Sequence, residues 1–426
     1  MARRRWLVRR VGTLAGGRVA AAAVSAGWLV VAARRMSLDT YGDLLLLLGL
    51  GLLLYVVNDF GLPLALTDAV AREPAVARTA FLAVLGRRMV LGVLSAALVV
   101  VAYLAASARP DLVAAGIFCV SVVSTAVYST AAAVFRGFGR VRVEAVNEIV
   151  SRVFVIAAGS AWLASGGGLR AAVGVYAAAD AMSAAVLTAV AWRATRGAVG
   201  SVDTRRFALG RMAPVAVATG LGVLYYRVDL WLLALLRGPH DVALYGSAYR
   251  VLDGLLLAAS AVAALSIRAV ARAGAGEQRR VVGRLVRLSL LVTVPLAAVG
   301  LVGAHPVMRV LFGARYGQAA GLLRLLLVAA VPSAVVTVVA PLAFLRGRTA
   351  AVRGFTVMLA ADVGLNLVLI PAMGPAGAAL ATLGCQVVLA GWLWRSVLRW
   401  PAGPDDLEVG GVAGRVPVPV VPAAAG

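Results

Sequence analysis

The chain has 426 residues, 62% of them hydrophobic, and a mean hydropathy of +0.94. Apolar runs long enough to cross the roughly 30 Å hydrocarbon core recur along its whole length, which leaves no room for a soluble domain of ordinary size. The formal net charge of +23, whose basic part is all Arg, therefore reads as the loops of a membrane protein and not as a nucleic-acid surface.

The N-terminal MARRRWLVRR and the apolar stretch after it look like a signal peptide, but no cleavage site precedes Arg34-Arg35. The stretch is expected to stay as a first span, near 12–33. Five more spans follow near 43–68, 88–107, 111–134, 146–165 and 170–192. A second set lies near 209–236, 242–267, 285–304, 319–344, 350–371 and 375–397. Residues 74–88 and 268–287 read as Arg-rich amphipathic connectors on the inner membrane surface. Every second gap collects arginines, among them Arg72, Arg78, Arg87 and Arg88, which places both termini in the cytoplasm.

The polar segment 194–206 divides the chain into an N-terminal lobe, 1–193, and a C-terminal lobe, 207–398. The Pro- and Gly-rich tail, 399–426, is expected to be disordered. The halves echo each other: Tyr41-Gly42 and Tyr245-Gly246 each lead into a long apolar helix. Halves with an even number of spans start on the same side, so the repeats are parallel. The expected fold is an all-α integral membrane protein, about twelve transmembrane helices in two parallel six-helix lobes around a central cleft.

Charges inside the spans mark that cleft, because a charge at mid-bilayer costs roughly 2.5–3.5 kcal/mol or more unless it meets a polar cavity or a partner. Arg227, Arg250, Arg18 and Arg152 are the basic candidates. Arg suits a diphosphate because its fork binds two oxygens and stays charged. The competing reading is an ion-paired scaffold: Asp229 is close to Arg227, Asp253 stands three residues after Arg250, and Glu148 lies one turn before Arg152. Asp59, Asp180, Asp229, Asp253, Asn58 and Asn366 are the polar candidates for coupling to a proton or sodium gradient. Trp231, Tyr225 and Tyr226 either stack on sugar rings or pack. Cys119 and Cys385 read as inert thiols, and no metal ligand set or other cofactor site is expected. The histidines, His240 and His305, sit at span ends and no long outer loop is available to build an active site, so an enzyme is not expected.

The chain resembles the bacterial polysaccharide-export or oligosaccharide flippases, in the superfamily that also holds multidrug and toxin extrusion transporters and lipid II flippases. The likeness rests on Tyr41-Gly42, Asn58-Asp59-Phe60-Gly61, Phe135-Arg136-Gly137, Asp229, and Tyr245-Gly246 with Arg250. Leu311-Phe312-Gly313 with Tyr316, and Asn366 before Leu369-Ile370-Pro371 and Gly374, complete it. The resemblance implies a carrier in the bacterial plasma membrane that moves undecaprenyl-diphosphate-linked oligosaccharide to the outer leaflet. Its partners would be that lipid, membrane lipids, and a polysaccharide polymerase or glycosyltransferase. The alternative is a cation-coupled multidrug antiporter of the same fold. Lipid II flippases usually carry two further helices that have no counterpart here.

Overall fold

The computed structural model describes residues 27–400 apart from 108, 165, 274–276 and 347. Most of the first expected span, with Arg18, and the tail from 401 lie outside the described residues. Within them every regular element is helical. A helix α1 covers 27–35. It is followed by α2 (Leu38–Asp59), α3 (Leu62–Arg72), α4 (Ala77–Ala106), α5 (Leu112–Gly137), α6 (Val141–Ala164) and α7 (Leu169–Ala194). The second half holds α8 (Leu209–Arg237), α9 (Pro239–Arg272), α10 (Gln278–Phe312), α11 (Ala320–Arg346), α12 (Arg348–Met373) and α13 (Pro375–Leu398). Among the described residues, eight helices are long and apolar enough to cross a membrane. The long helices α6, α8 and α9 are not among them. These three carry Arg152, Arg227 with Asp229, and Arg250 with Asp253.

Three expectations are corrected. The span at 43–68 is broken: Phe60 and Gly61 are left-handed, with φ of 46° and 72°, and Pro63 opens α3. Proline has no N–H to continue a helix, and the Asp59 carboxylate accepts the freed Gly61 N–H at 3.2 Å. The connector expected at 74–88 is mostly the first turns of α4. Ala77, Ala80, Phe81, Val84, Arg88 and Leu91 fall at helical spacing and are all buried, a stripe that needs a neighbour and not a lipid surface. The connector expected at 268–287 shrinks likewise, since α9 runs to Arg272 and α10 starts at Gln278.

The two halves repeat one pairing scheme. In the first, α2 packs on α4, α4 on α5, α5 on α7 and α6 on α7. In the second, α9 packs on α10, α10 on α11, α11 on α13 and α12 on α13. The scheme extends to the first helix of each half: α8 lies on α12, and Trp28 of α1 lies over Gly159 of α6.

Between the halves, α2 packs against both α8 and α9. Small residues set how closely it runs beside α8 and the start of α9. A Cβ at Gly42 would fall 1.8 Å from the Pro239 carbonyl oxygen, one at Gly49 2.7 Å from Leu230, and one at Gly220 2.5 Å from Val56. Such close approach lets dispersion hold helices together in lipid, where no hydrophobic drive exists between them. Segment 194–206 is strapped to the start of α4: Gly200 N–H donates to Ala75 O at 2.8 Å, and the Thr79 hydroxyl donates to Gly200 O at 3.0 Å.

Candidate functional site

The hairpin of α8 and α9 turns at Gly238, φ 89°, with Pro239 as the first residue of α9. About three turns from that corner on either side stand the charges. Arg227 Nη2 meets Asp253 Oδ2 at 3.0 Å, and Arg250 Nη1 meets the same oxygen at 3.6 Å. Two guanidiniums thus share one carboxylate, leaving an excess positive charge. The three side chains keep 19%, 30% and 33% of their surface exposed, in the order Arg227, Arg250, Asp253. The Arg227 guanidinium also lies over the Tyr249 ring, 5.1 Å from its centre.

The expected pairing of Arg227 with Asp229 does not form. Residues two apart on a helix point to different sides, and Asp229 turns into the bundle, buried. Its carboxylate accepts the Tyr245 hydroxyl at 2.5 Å and the Leu230 N–H at 2.8 Å. The Tyr245 hydroxyl is also 3.2 Å from Thr382 Oγ1, which ties α8, α9 and α13 together. Close by, Asp362 and Asn366 of α12 are buried, and the Asn366 amide donates to Asp362 O at 2.8 Å. Asn366 Oδ1 and Gln386 Oε1 are buried acceptors that meet no donor among the described residues.

From the first half, Arg152 of α6 forms no ion pair with Glu148, against expectation. Asp180 accepts the Ser121 hydroxyl. Asn58 donates to Val122 O at 3.1 Å, a helix-to-helix bond of the kind that holds α2 on α5. Trp231 N–H reaches Ala102 O at 3.5 Å and Tyr225 packs edge-on against Phe355, so both serve packing. Cys119 and Cys385 are free thiols.

Sequence reasoning missed Arg88. Counted with the loop arginines, it is fully buried on α4, and its Nη1 meets Asp59 Oδ1 at 3.1 Å. Its Nη2 donates to Ser129 Oγ at 2.6 Å, and the Tyr55 hydroxyl donates to Asp59 at 2.9 Å. A partial signal was present: Arg87 and Arg88 both continue the i, i+3/i+4 row of Ala77, Ala80, Phe81 and Val84, so the pair reaches the buried face of a helix, but the spacing does not choose between them.

Part of the motif set, Tyr41-Gly42, Tyr245-Gly246 and Phe312-Gly313 with Tyr316, meets at one end of the helices. Arg34 donates to Leu311 O at 2.8 Å and to Val310 O, and Arg315 returns a bond to Met36 O at 3.0 Å. Tyr41 and Tyr316 meet edge to face, 6.0 Å between ring centres. With Gly42 against Pro239 and Gly246 against Leu45, these contacts join the two halves there.

A family model described as "Polysaccharide biosynthesis protein" matches residues 7–271. No curated protein matches the chain in sequence. The fold is similar to that of the lipid II flippase MurJ in an inward closed conformation, with a TM-score of 0.70 at 12% identity, covering 90% of this chain and 87% of that one. It is similar to an inward-facing multidrug resistance MATE family transporter of the MOP superfamily, at 0.68 and 14% over 89% and 94% of the two chains. The bent form of the Vibrio cholerae MATE transporter VcmN scores 0.55 at 16%, over 91% and 97%.

Proposed function

The chain belongs to the polysaccharide biosynthesis protein family, and we propose that it flips undecaprenyl-diphosphate-linked oligosaccharide from the inner to the outer leaflet of the bacterial plasma membrane by alternating access. The observation that carries this reading is the pair of guanidiniums, Arg227 and Arg250, on the single Asp253 carboxylate. A diphosphate can displace the shared carboxylate and take both forks, where it meets more positive charge than the protein neutralises. The sugar follows the diphosphate into the polar cleft while the tail stays in lipid.

In this reading the lobes are residues 1–193 and 207–398, joined by 194–206, with about twelve spans and both termini cytoplasmic. The end sealed by Tyr41-Gly42, Pro239 and Tyr316 is then the outer one, and the cleft opens inward. Small residues at the α2 to α8 contact let the lobes rock without a bulky ridge between them. Arg18 remains a further candidate for the diphosphate. Asp229, Asp362 and Asn366, beside acceptors that meet no donor among the described residues, suit coupling to a proton or sodium gradient. Each gradient imposed alone on proteoliposomes tells which. A polymerase or glycosyltransferase would act before or after the transfer.

The second reading is cation-coupled multidrug extrusion, which the buried Asp229 and Asp362 support. The deciding experiment is flipping of a short-chain fluorescent polyprenyl-diphosphate sugar in liposomes, read by an impermeant quencher. Quenching beyond the outer-leaflet fraction, lost in Arg227→Ala with Arg250→Ala, supports the flippase. Protection equal to that in empty vesicles overturns it and turns attention to drug efflux.

A further inference from the structure

On the side of α6 away from Arg152, a groove of about 510 Å³ opens between α6 and α7. Its walls are Val146, Val150, Met182, Val186 and Val190. These side chains are between 38% and 60% exposed, so no element among the described residues covers them. On its floor the Asn147 amide donates to Ser183 Oγ at 2.5 Å and to Ser183 O at 3.3 Å.

One end differs. Arg142 lines the groove at the start of α6 and is exposed. The arginines near it are occupied: Arg136 pairs with Glu144 at 3.1 Å, and the Arg140 guanidinium lies 5.9 Å from the centre of the Phe138 ring. Arg142 forms no ion pair among the described residues. A free guanidinium at the mouth of an apolar slot matches a lipid with an anionic phosphate head and an unbranched run of tail. The same helix carries Arg152 ten residues further on, about 15 Å along its axis. Head and cleft are thus joined along one helix.

We propose that this groove is a loading site for the lipid carrier: it holds the head-proximal part of the isoprenoid tail, with the phosphate on Arg142, before the head moves to Arg152 and the cleft. This rests on the flippase reading above. The slot offers one apolar channel with one cation at its end, which fits a single-chain diphosphate better than a two-chain phospholipid.

The test uses the full chain in nanodiscs of zwitterionic phospholipid and a polyprenyl diphosphate bearing a diazirine on its head-proximal units. Labelling is expected within residues 143–151 and 182–190. Val186→Trp, which fills the groove, and Arg142→Ala, which removes the phosphate partner, should each cut labelling about tenfold. Val186→Ala should keep it, and Arg142→Ala leaves the apolar packing intact if the Trp variant does not fold. Excess anionic phospholipid that leaves labelling unchanged supports the carrier. Phospholipid that competes as well as unlabelled polyprenyl diphosphate overturns it, and so does labelling spread evenly over the lipid-facing helices. Flipping of a short-chain probe is measured on the same purified protein reconstituted in liposomes. Groove labelling without flipping removes the flippase reading and leaves the binding site, whereas flipping with labelling elsewhere removes the groove alone.

Discussion

Two clusters of arginine and aspartate show how differently one chemistry is used. Arg88 and Asp59 form a closed set, with Ser129, Tyr55 and the Gly61 N–H filling most of what the pair offers. Arg88 has no exposure at all. Arg227, Arg250 and Asp253 form an open set, half-buried, with one carboxylate for two cations. Charge count and exposure, not residue type, separate a structural clamp from a site prepared for an anion. The closed cluster sits where α2 breaks at Phe60 and Gly61 and so fixes the geometry of the break. The open one sits on the hairpin that meets the other half.

The largest effect is expected at the closed cluster. Arg88→Ala leaves Asp59 without its cation, and should cost about 3 kcal/mol. That is the lower part of the range for a broken buried pair, because Asp59 keeps 20% of its side chain exposed. The unfolding midpoint in detergent checks it, and a change no larger than that of an exposed pair would erase the contrast drawn above. At the open cluster, Arg227→Ala and Arg250→Ala should each weaken diphosphate capture by about ten- to a hundredfold. Stability should change by no more than about 1 kcal/mol, since Asp253 keeps one cation. Equilibrium binding of a soluble polyprenyl-diphosphate analogue, measured beside the unfolding midpoint, separates the two effects.

Asp253→Asn sharpens the comparison from the other side. With the competing carboxylate neutral, capture should tighten by about tenfold and release should slow. Tighter binding with lower turnover is the expected pair of results, whereas weaker binding would make Asp253 part of the ligand site itself. The smallest effect is expected at an exposed pair. Asp111 caps α5 through the Val113 and Ala114 N–H groups and meets Arg170 at 2.8 Å. Asp111→Ala should cost about 1 kcal/mol. The hydrogen bond from Arg170 holds the Asp111 carboxyl below its ordinary value. Its contribution is therefore complete above about pH 4 and fades as pH falls through that lowered value, so acid titration of stability should flatten in Asp111→Asn.

Much of the architecture could be read without coordinates. Hydropathy located most of the helices, because a run of apolar residues has few other places to go, but it missed the break at Phe60-Gly61 and the early start of α4. The candidate site was legible only in part. Arg227, Arg250 and Asp253 were visible as charges in apolar runs, and the pairing of Arg250 with Asp253 follows from their helical spacing. That Arg227 reaches across to Asp253 while Asp229 turns to Tyr245 depends on how α8 rotates against α9, which spacing within one helix does not set. Arg88 was hidden because an arginine next to Arg87 in an Arg-rich gap satisfies the positive-inside pattern equally well in a loop or at a helix start.

Composition and period by themselves determined that this chain is helical and resides in a membrane, and that its halves resemble each other, since those properties belong to single helices and to their order. Tertiary structure decided which charges meet and which stay open. It also decided that Tyr41-Gly42, Tyr245-Gly246 and Tyr316 serve to join the halves. The physical reason is the same in each case. An arginine's partner, or the atom a missing Cβ makes room for, comes from a helix far away in sequence, and only the packing of that helix brings it within a few ångströms.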